Sequence, residues 1–142
     1  MVARRSTADH LAAVPLFSSL SKRDLQQVGK ATTEVRIDAG QTLVEQGRTG
    51  QEFFLILDGE AEVRRNDRRL TTLGPGDYFG ELAILDRGPR SASVIAKTDM
   101  TVLVLSQRDF VGVLASIPGM ALKLLTVMAQ RLREADTKAH SH

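Results

Sequence analysis

The chain has 142 residues, a length that suits one domain. Its formal net charge of +2 is too weak to imply a nucleic-acid partner by itself, and the lack of cysteine excludes a disulfide framework and thiolate chemistry. No apolar run approaches the length needed to span a membrane, and no apolar core follows the basic start Met1-Val2-Ala3-Arg4-Arg5-Ser6, so a secretory signal is not expected and a cytoplasmic location is.

Thr7 to Ala13 reads as a short helix with Thr7 as its cap, Leu11 and Val14 as its apolar residues and Pro15 as its end. Leu16 and Phe17 follow as anchors for a core. Ser21-Lys22-Arg23-Asp24 has the pattern of a capping box with Asp in place of Glu. It opens a second helix through Val28, with Leu25 and Val28 on one face.

Residues 32 to 105 read as strands broken by glycine. Val35 and Ile37 alternate with polar neighbours, as a half-buried strand requires. Asp38-Ala39-Gly40 is a turn, Leu43 and Val44 a short strand, and Gln46-Gly47 and Thr49-Gly50 further turns. Phe53-Phe54-Leu55-Ile56-Leu57 is continuously apolar and predicts a strand buried on both faces. Ala61 to Val63 and Leu70 to Leu73 are strands on either side of Asn66-Asp67. Arg64, Arg65, Arg68 and Arg69 surround that turn. They read as a solvated hairpin tip rather than as a contact for an acidic partner or a membrane surface. Gly74-Pro75-Gly76-Asp77 makes a sharp bend. Ser93 to Ala96 and Met100 to Leu105 are two more strands, turning at Thr98-Asp99. Short strands at this spacing suggest a closed or two-sheet barrel.

Ser106-Gln107-Arg108-Asp109 is another cap-like start, and the helix from Gln107 to Ala115 is expected to carry Phe110, Val111 and Leu114 on one face. Pro118 suits the first turn of a last helix from about Gly119 to Thr137. There Ala121, Leu125, Met128, Leu132 and Ala135 recur at spacings of four and three, a heptad-like seam, and Leu122, Leu124 and Val127 widen it. Two readings stand for this helix: it lies on its own barrel, or it also pairs with a second copy.

The stretch between the bend at 74–77 and the strand at 93 carries the most specific chemistry. Phe79-Gly80-Glu81-Leu82-Ala83-Ile84-Leu85 reads as a turn entering a short helix, and Pro89-Arg90-Ser91-Ala92-Ser93-Val94 as a loop entering a strand. Gly80 lets the backbone approach a ligand, and the unpaired amides opening the helix favour an anion. The planar fork of Arg90 suits two oxygens of one phosphate, while the acceptor Glu81 suits a sugar hydroxyl. Small Ser91 and Ala92 keep the wall open. Together these residues describe a pocket for a phosphate joined to a ribose.

This stretch resembles the phosphate-binding cassette of cyclic-nucleotide-binding domains, a family that includes the bacterial catabolite activator, the regulatory subunits of cyclic-AMP-dependent kinase and cyclic-nucleotide-gated channels. The resemblance extends over nearly the whole chain, including the glycines at 40, 47, 50, 59, 74 and 76 and the helical lead-in. It implies a mainly β fold with flanking helices: a β-roll or jelly-roll barrel with N-terminal helices, a short cassette helix and two C-terminal helices. Residues 1–142 are then one cyclic-nucleotide-binding domain, with a lead-in over about 7–29, a roll over about 32–105 and C-terminal helices over about 107–137.

By the same resemblance Arg90 grips the cyclic phosphate and Glu81 takes the ribose 2′-hydroxyl. Phe79, Gly80, Leu82, Ala83, Ser91 and Ala92 complete the cradle, Val63, Thr71 and Leu73 wall the base, and the last helix is a lid. Arg131 lies where relatives place an arginine that reaches the ligand. The Thr-Ser pair that meets adenine in bacterial activators falls here near Ala135-Asp136, so the purine is not fixed: cyclic AMP is favoured as the commoner bacterial ligand, with cyclic GMP as the alternative. Activators continue into a helix-turn-helix, for which too few residues follow this helix, so no DNA contact is expected. An effector domain or a channel is the expected partner if the chain is an excised module.

No cofactor is expected. The histidines, His10, His140 and His142, lie in the first helix and the tail, whereas a jelly-roll metalloenzyme needs several on inner strands. An enzyme is therefore not expected. The alternative function is an interaction module that keeps the fold without binding a nucleotide and dimerises through its last helix.

Overall fold

The computed structural model describes residues 7–14, 16–80 and 89–140, with side chains of the last helix described as far as 134 except that of 131. The stretch expected to form the cassette helix, 81–88, lies outside the described residues. Two helices lead, α1 (Thr7–Ala12) and α2 (Lys22–Ala31). Ser21 caps α2 as its sequence predicts, its Oγ accepting from the Asp24 N–H at 3.1 Å.

Among the described residues eight strands follow in chain order: β1 (Thr33–Ile37), β2 (Thr42–Val44), β3 (Glu52–Asp58), β4 (Ala61–Arg65), β5 (Arg68–Leu73), β6 (Tyr78–Phe79), β7 (Ser93–Ala96) and β8 (Met100–Ser106). They form two antiparallel four-stranded sheets, ordered β1-β8-β3-β6 and β2-β7-β4-β5. Two helices close the fold, α3 (Gln107–Ser116) and α4 (Met120–His140). This is the β-roll with flanking helices that the sequence implies.

The central strands of the first sheet, β3 and β8, are buried on both faces, which is why β3 is continuously apolar. Alternate residues go to opposite sides. Phe53, Leu55, Leu103 and Leu105 join Leu11, Val14, Phe17, Val28, Phe110, Ile117, Met120 and Leu124 in a core beneath the helices. Phe54, Ile56 and Val102 turn the other way and meet Ala61, Val94 and Ala96 of the second sheet inside the roll. Phe53 anchors the helical side, its ring 5.4 Å from Phe110, 5.5 Å from Tyr78 and edge-on to Phe17 at 6.3 Å.

Four details depart from the sequence reading. Strand β6 was not anticipated; it pairs Phe79 with Phe54 and Tyr78 with Leu55. Val111 is half exposed, because the buried face of α3 runs through Phe110, Val113 and then Ile117. Pro118 precedes the last helix rather than starting it, and Gly119 makes the turn at φ +81°. On α4 the residues that meet the roll are Met120, Leu124 and Met128, whereas Leu122, Leu125 and Leu132 of the expected apolar surface are exposed.

Candidate functional site

The site is built where two distant loops meet. The loop 45–50, between β2 and β3, runs beside the segment that leads into β7. Thr49 and Pro89 form an antiparallel bridge. The Arg90 N–H donates to the Arg48 carbonyl at 2.9 Å, and the Gly47 N–H donates to the Arg90 carbonyl at 2.8 Å. The backbone of Arg90 is thus held on both sides by a loop more than forty positions away.

The Arg90 side chain turns inward and is only 6% exposed, the one buried charged residue among those described. Its Nη2 donates to the Glu52 carbonyl at 2.8 Å. Two glycines make room for the guanidinium. A Cβ at Gly50 would fall 2.6 Å from Arg90 Cζ, and one at Gly80 would fall 2.8 Å from Nη1 and 2.5 Å from the Glu52 carbonyl. These distances are shorter than atoms tolerate, so neither position accepts a side chain without displacing the arginine. Gly80 also sits at φ +98°, a conformation that favours glycine.

A cavity of about 280 Å³ opens against Arg90, with Leu43, Val44, Thr49, Gly50 and Phe54 among its lining. A guanidinium keeps its charge at any pH a protein meets, and it presents its donors in a rigid fork. Its burial on a cavity wall makes this a place to recognise an anion with two or more oxygens, such as a phosphate.

Of the residues singled out in the sequence, several converge here. Arg90 lines the cavity, Gly80 touches its guanidinium, and Phe79 stacks on Phe54 with ring centres 4.8 Å apart. Ser91 is exposed and Ala92 half-buried as the chain enters β7. Ser91 contributes its carbonyl, which accepts from Arg65 Nε at 3.1 Å.

Val63 and Leu73 pack on the core inside the roll, and Thr71 stands opposite Val63 across the β4–β5 ladder but is exposed. These three share one face of the second sheet, yet none lines the cavity beside Arg90. Glu81, Leu82 and Ala83 lie outside the described residues, as does the side chain of Arg131 on α4.

The sequence reading missed the supporting loop. Gly50 makes room for the guanidinium, the Glu52 carbonyl, Gly47 and Gln46 hold the arginine segment, and the two glycines three positions apart at 47 and 50 carry in the sequence only the signal of turns. Phe54 was read as core, and it is also cavity lining. Among the described residues no group of three His, Cys, Asp or Glu could hold a metal ion, and no single helix is long and apolar enough to cross a membrane.

Comparison with known proteins places these features in context. Residues 34–116 match the family described as "Cyclic nucleotide-binding domain". The chain is 39% identical over 116 residues to a cAMP-dependent protein kinase regulatory subunit of Aspergillus fumigatus, covering 80% of this chain and 28% of that protein. It is 34% identical over 127 residues to the Cyclic AMP receptor protein of Thermus thermophilus, covering 86% of this chain and 59% of that one. The crystal structure of the Thermus thermophilus Catabolite Activator Protein superposes with a TM-score of 0.82 at 33% identity, over 88% of this chain and 61% of that chain. The chain therefore spans only part of the length of these relatives.

Proposed function

Because the chain belongs to the cyclic-nucleotide-binding domain family, we propose that it is a regulatory module that senses a cyclic nucleotide, cyclic AMP in preference to cyclic GMP. That family is one of ligand-binding regulatory domains and not of enzymes. The observation that carries the reading is the buried Arg90 guanidinium on the cavity wall, seated between two glycines. The preference for cyclic AMP rests on the names of the relatives.

In this reading Arg90 takes the cyclic phosphate and Glu81 the ribose 2′-hydroxyl. Amides near Gly80, Glu81, Leu82 and Ala83 and near Ser91 and Ala92 complete the cradle. Val63, Thr71 and Leu73 wall the base, and α4 acts as a lid from which Arg131 approaches the ligand. Residues 1–142 work as one unit, in the cytoplasm or on the cytoplasmic side of a membrane protein, and pass the signal to an effector. Signalling requires the nucleotide to prefer one position of the lid over another, since equal affinity for both would shift nothing.

The test is calorimetric titration of the nucleotide-free chain with cyclic AMP and then cyclic GMP. Saturable binding at micromolar concentration or tighter is expected, with cyclic AMP the tighter ligand. No heat from either nucleotide, with the cavity shown to be empty, rejects the reading.

A second reading is favoured by α4, where Leu122, Leu125 and Leu132 are 69%, 62% and 72% exposed. Leu125 and Leu132 stand seven positions apart, as a paired-helix seam requires. They are proposed to meet a second copy of this chain. Light scattering is then expected to give a dimer that Leu125→Asp converts to a monomer. A parent chain that stays monomeric at high concentration would sink this reading.

A further inference from the structure

The β4–β5 hairpin does more than end in solvent. Its tip, Asn66-Asp67, turns with both residues at positive φ, 52° and 63°, which fits a tight two-residue turn and presents the Asn66 side chain sideways. That side chain meets Gln46 of the loop 45–50 in a reciprocal pair. Gln46 Nε2 donates to Asn66 Oδ1 at 3.0 Å, and the Asn66 N–H donates to Gln46 Oε1 at 2.9 Å. The Gln46 N–H donates in turn to Ser93 Oγ at 2.8 Å, and Arg65 Nε donates to the Ser91 carbonyl at 3.1 Å. The hairpin therefore grips both segments that hold Arg90, one through Gln46 and the other through Ser91. These side-chain bonds continue past the ends of the β4–β7 and β2–β7 ladders, where Arg64 stands opposite Ser93 and Val44 opposite Val94, so they tie down the segments that backbone pairing leaves free.

We propose that Gln46, Asn66 and Arg65 form an external clasp that positions the Arg90 segment for the phosphate, so that the hairpin tip sets nucleotide affinity without touching the nucleotide. The proposal rests on the reading of Arg90 as the phosphate residue. With the clasp closed, the loop 45–50 and residues 90–93 keep a fixed separation, and Arg90 meets its ligand without reorganising. With it open, the same contacts must be assembled at the cost of ordering both segments, which lowers affinity. Gln46, Asn66 and Arg65 are positioning residues in this scheme.

Isosteric charge changes test it. Gln46→Glu keeps the acceptor that the Asn66 N–H uses and turns the donor into a second acceptor, to which the Asn66 amide can rotate and donate its NH2 group. Asn66→Asp keeps the acceptor that Gln46 uses, and Asp tolerates the left-handed turn. Each single variant is expected to keep the clasp, whereas the double variant sets two carboxylates against each other and opens it. Two readouts are taken on the full chain: affinity for cyclic AMP, and hydrogen exchange of the Gly47 and Arg90 amides in the nucleotide-free protein.

The expected result is an affinity of the double variant about tenfold below the product of the two single effects, a typical coupling within one network. Faster exchange at both amides and a melting midpoint close to that of the parent should accompany it. The single variants also control for simple repulsion of the phosphate by added negative charge, which would multiply without excess. Should the double variant melt early, Gln46→Ala, which removes the pair without adding charge, must show the same faster exchange and weaker binding. Multiplicative affinities with unchanged exchange, in a parent that binds, overturn the clasp and leave the Arg90 reading standing. A parent that binds neither cyclic nucleotide overturns the Arg90 reading, and the clasp with it.

Discussion

Strand β3 has two faces, and the molecule uses them for different ends. Phe53 and Leu55 look toward the helices, where Phe17, Phe110, Ile117 and Met120 close around them with almost no exposed surface. Phe54 looks into the roll, where it meets Phe79 and forms part of a cavity wall beside Arg90. The first side is filled with large apolar groups whose burial stabilises the fold by roughly 1.5–3 kcal/mol each. The second also packs a core around Ile56, Val94 and Val102, but at its Phe54 end it keeps space, glycines and one buried charge, features that add little to stability. The single step from Phe53 to Phe54 separates a residue that holds the fold from one that also shapes the site. Stability and ligand affinity should therefore be separable by mutation.

The largest effect expected is at the helical face. Phe53→Ala should cost about 3–5 kcal/mol of unfolding free energy, because the ring touches three aromatic neighbours that cannot collapse into its place. Urea denaturation measures this, and a loss below 1 kcal/mol would break the comparison.

Next comes the site face. Arg90→Ala should weaken cyclic-nucleotide affinity at least tenfold, corresponding to about 1.5–3 kcal/mol for a charge-assisted contact, while the melting midpoint stays near that of the parent. Unchanged affinity would remove Arg90 from the phosphate site.

The smallest effect sharpens the contrast. Gly50→Ala places a methyl against the Arg90 guanidinium and should lower affinity by about 1–2 kcal/mol through displacement of that group. If calorimetry found affinity intact and only stability reduced, Gly50 would belong to the packing side of the comparison instead.

Much of this division was legible in the sequence. The run Phe53 to Leu57 announces a strand with no solvated face, and the glycines mark the turns of the roll. Ser21 and Ser106 announce their helices, and both cap as expected, accepting from Asp24 and Asp109. Arg90 stands out because the Gly80-Glu81 entry of a short apolar stretch precedes it and small residues follow it.

What was not legible depended on partners far along the chain. The two residues of β6 are too few to show a period, and only their pairing with β3 makes them a strand. The loop 45–50 carries the signals of an ordinary turn, and its role arises from Thr49 meeting Pro89. On α3 the adjacent pair Phe110 and Val111 both read as apolar, but a helix turns through about 100° per residue and the core takes only Phe110. On α4 the heptad spacing was visible, but which leucines meet the roll depends on how the turn at Gly119 sets the helix down.

The strand order of the first sheet also bears on how the chain is made. Its first strand, β1, and its central β3 both pair with β8, so that Thr33 and Phe54 alike wait for Val104. During synthesis, β3 leaves the ribosome about fifty residues ahead of the strand that covers its edge, an interval of roughly three to ten seconds at ordinary elongation rates. Through that interval the segment Phe53 to Leu57 is an apolar strand without its central partner, rich in β-formers and lacking a charge. Translation speed over residues 60–105, and any chaperone that holds short apolar strands, should therefore influence the yield of folded protein more than the stability of the finished roll does.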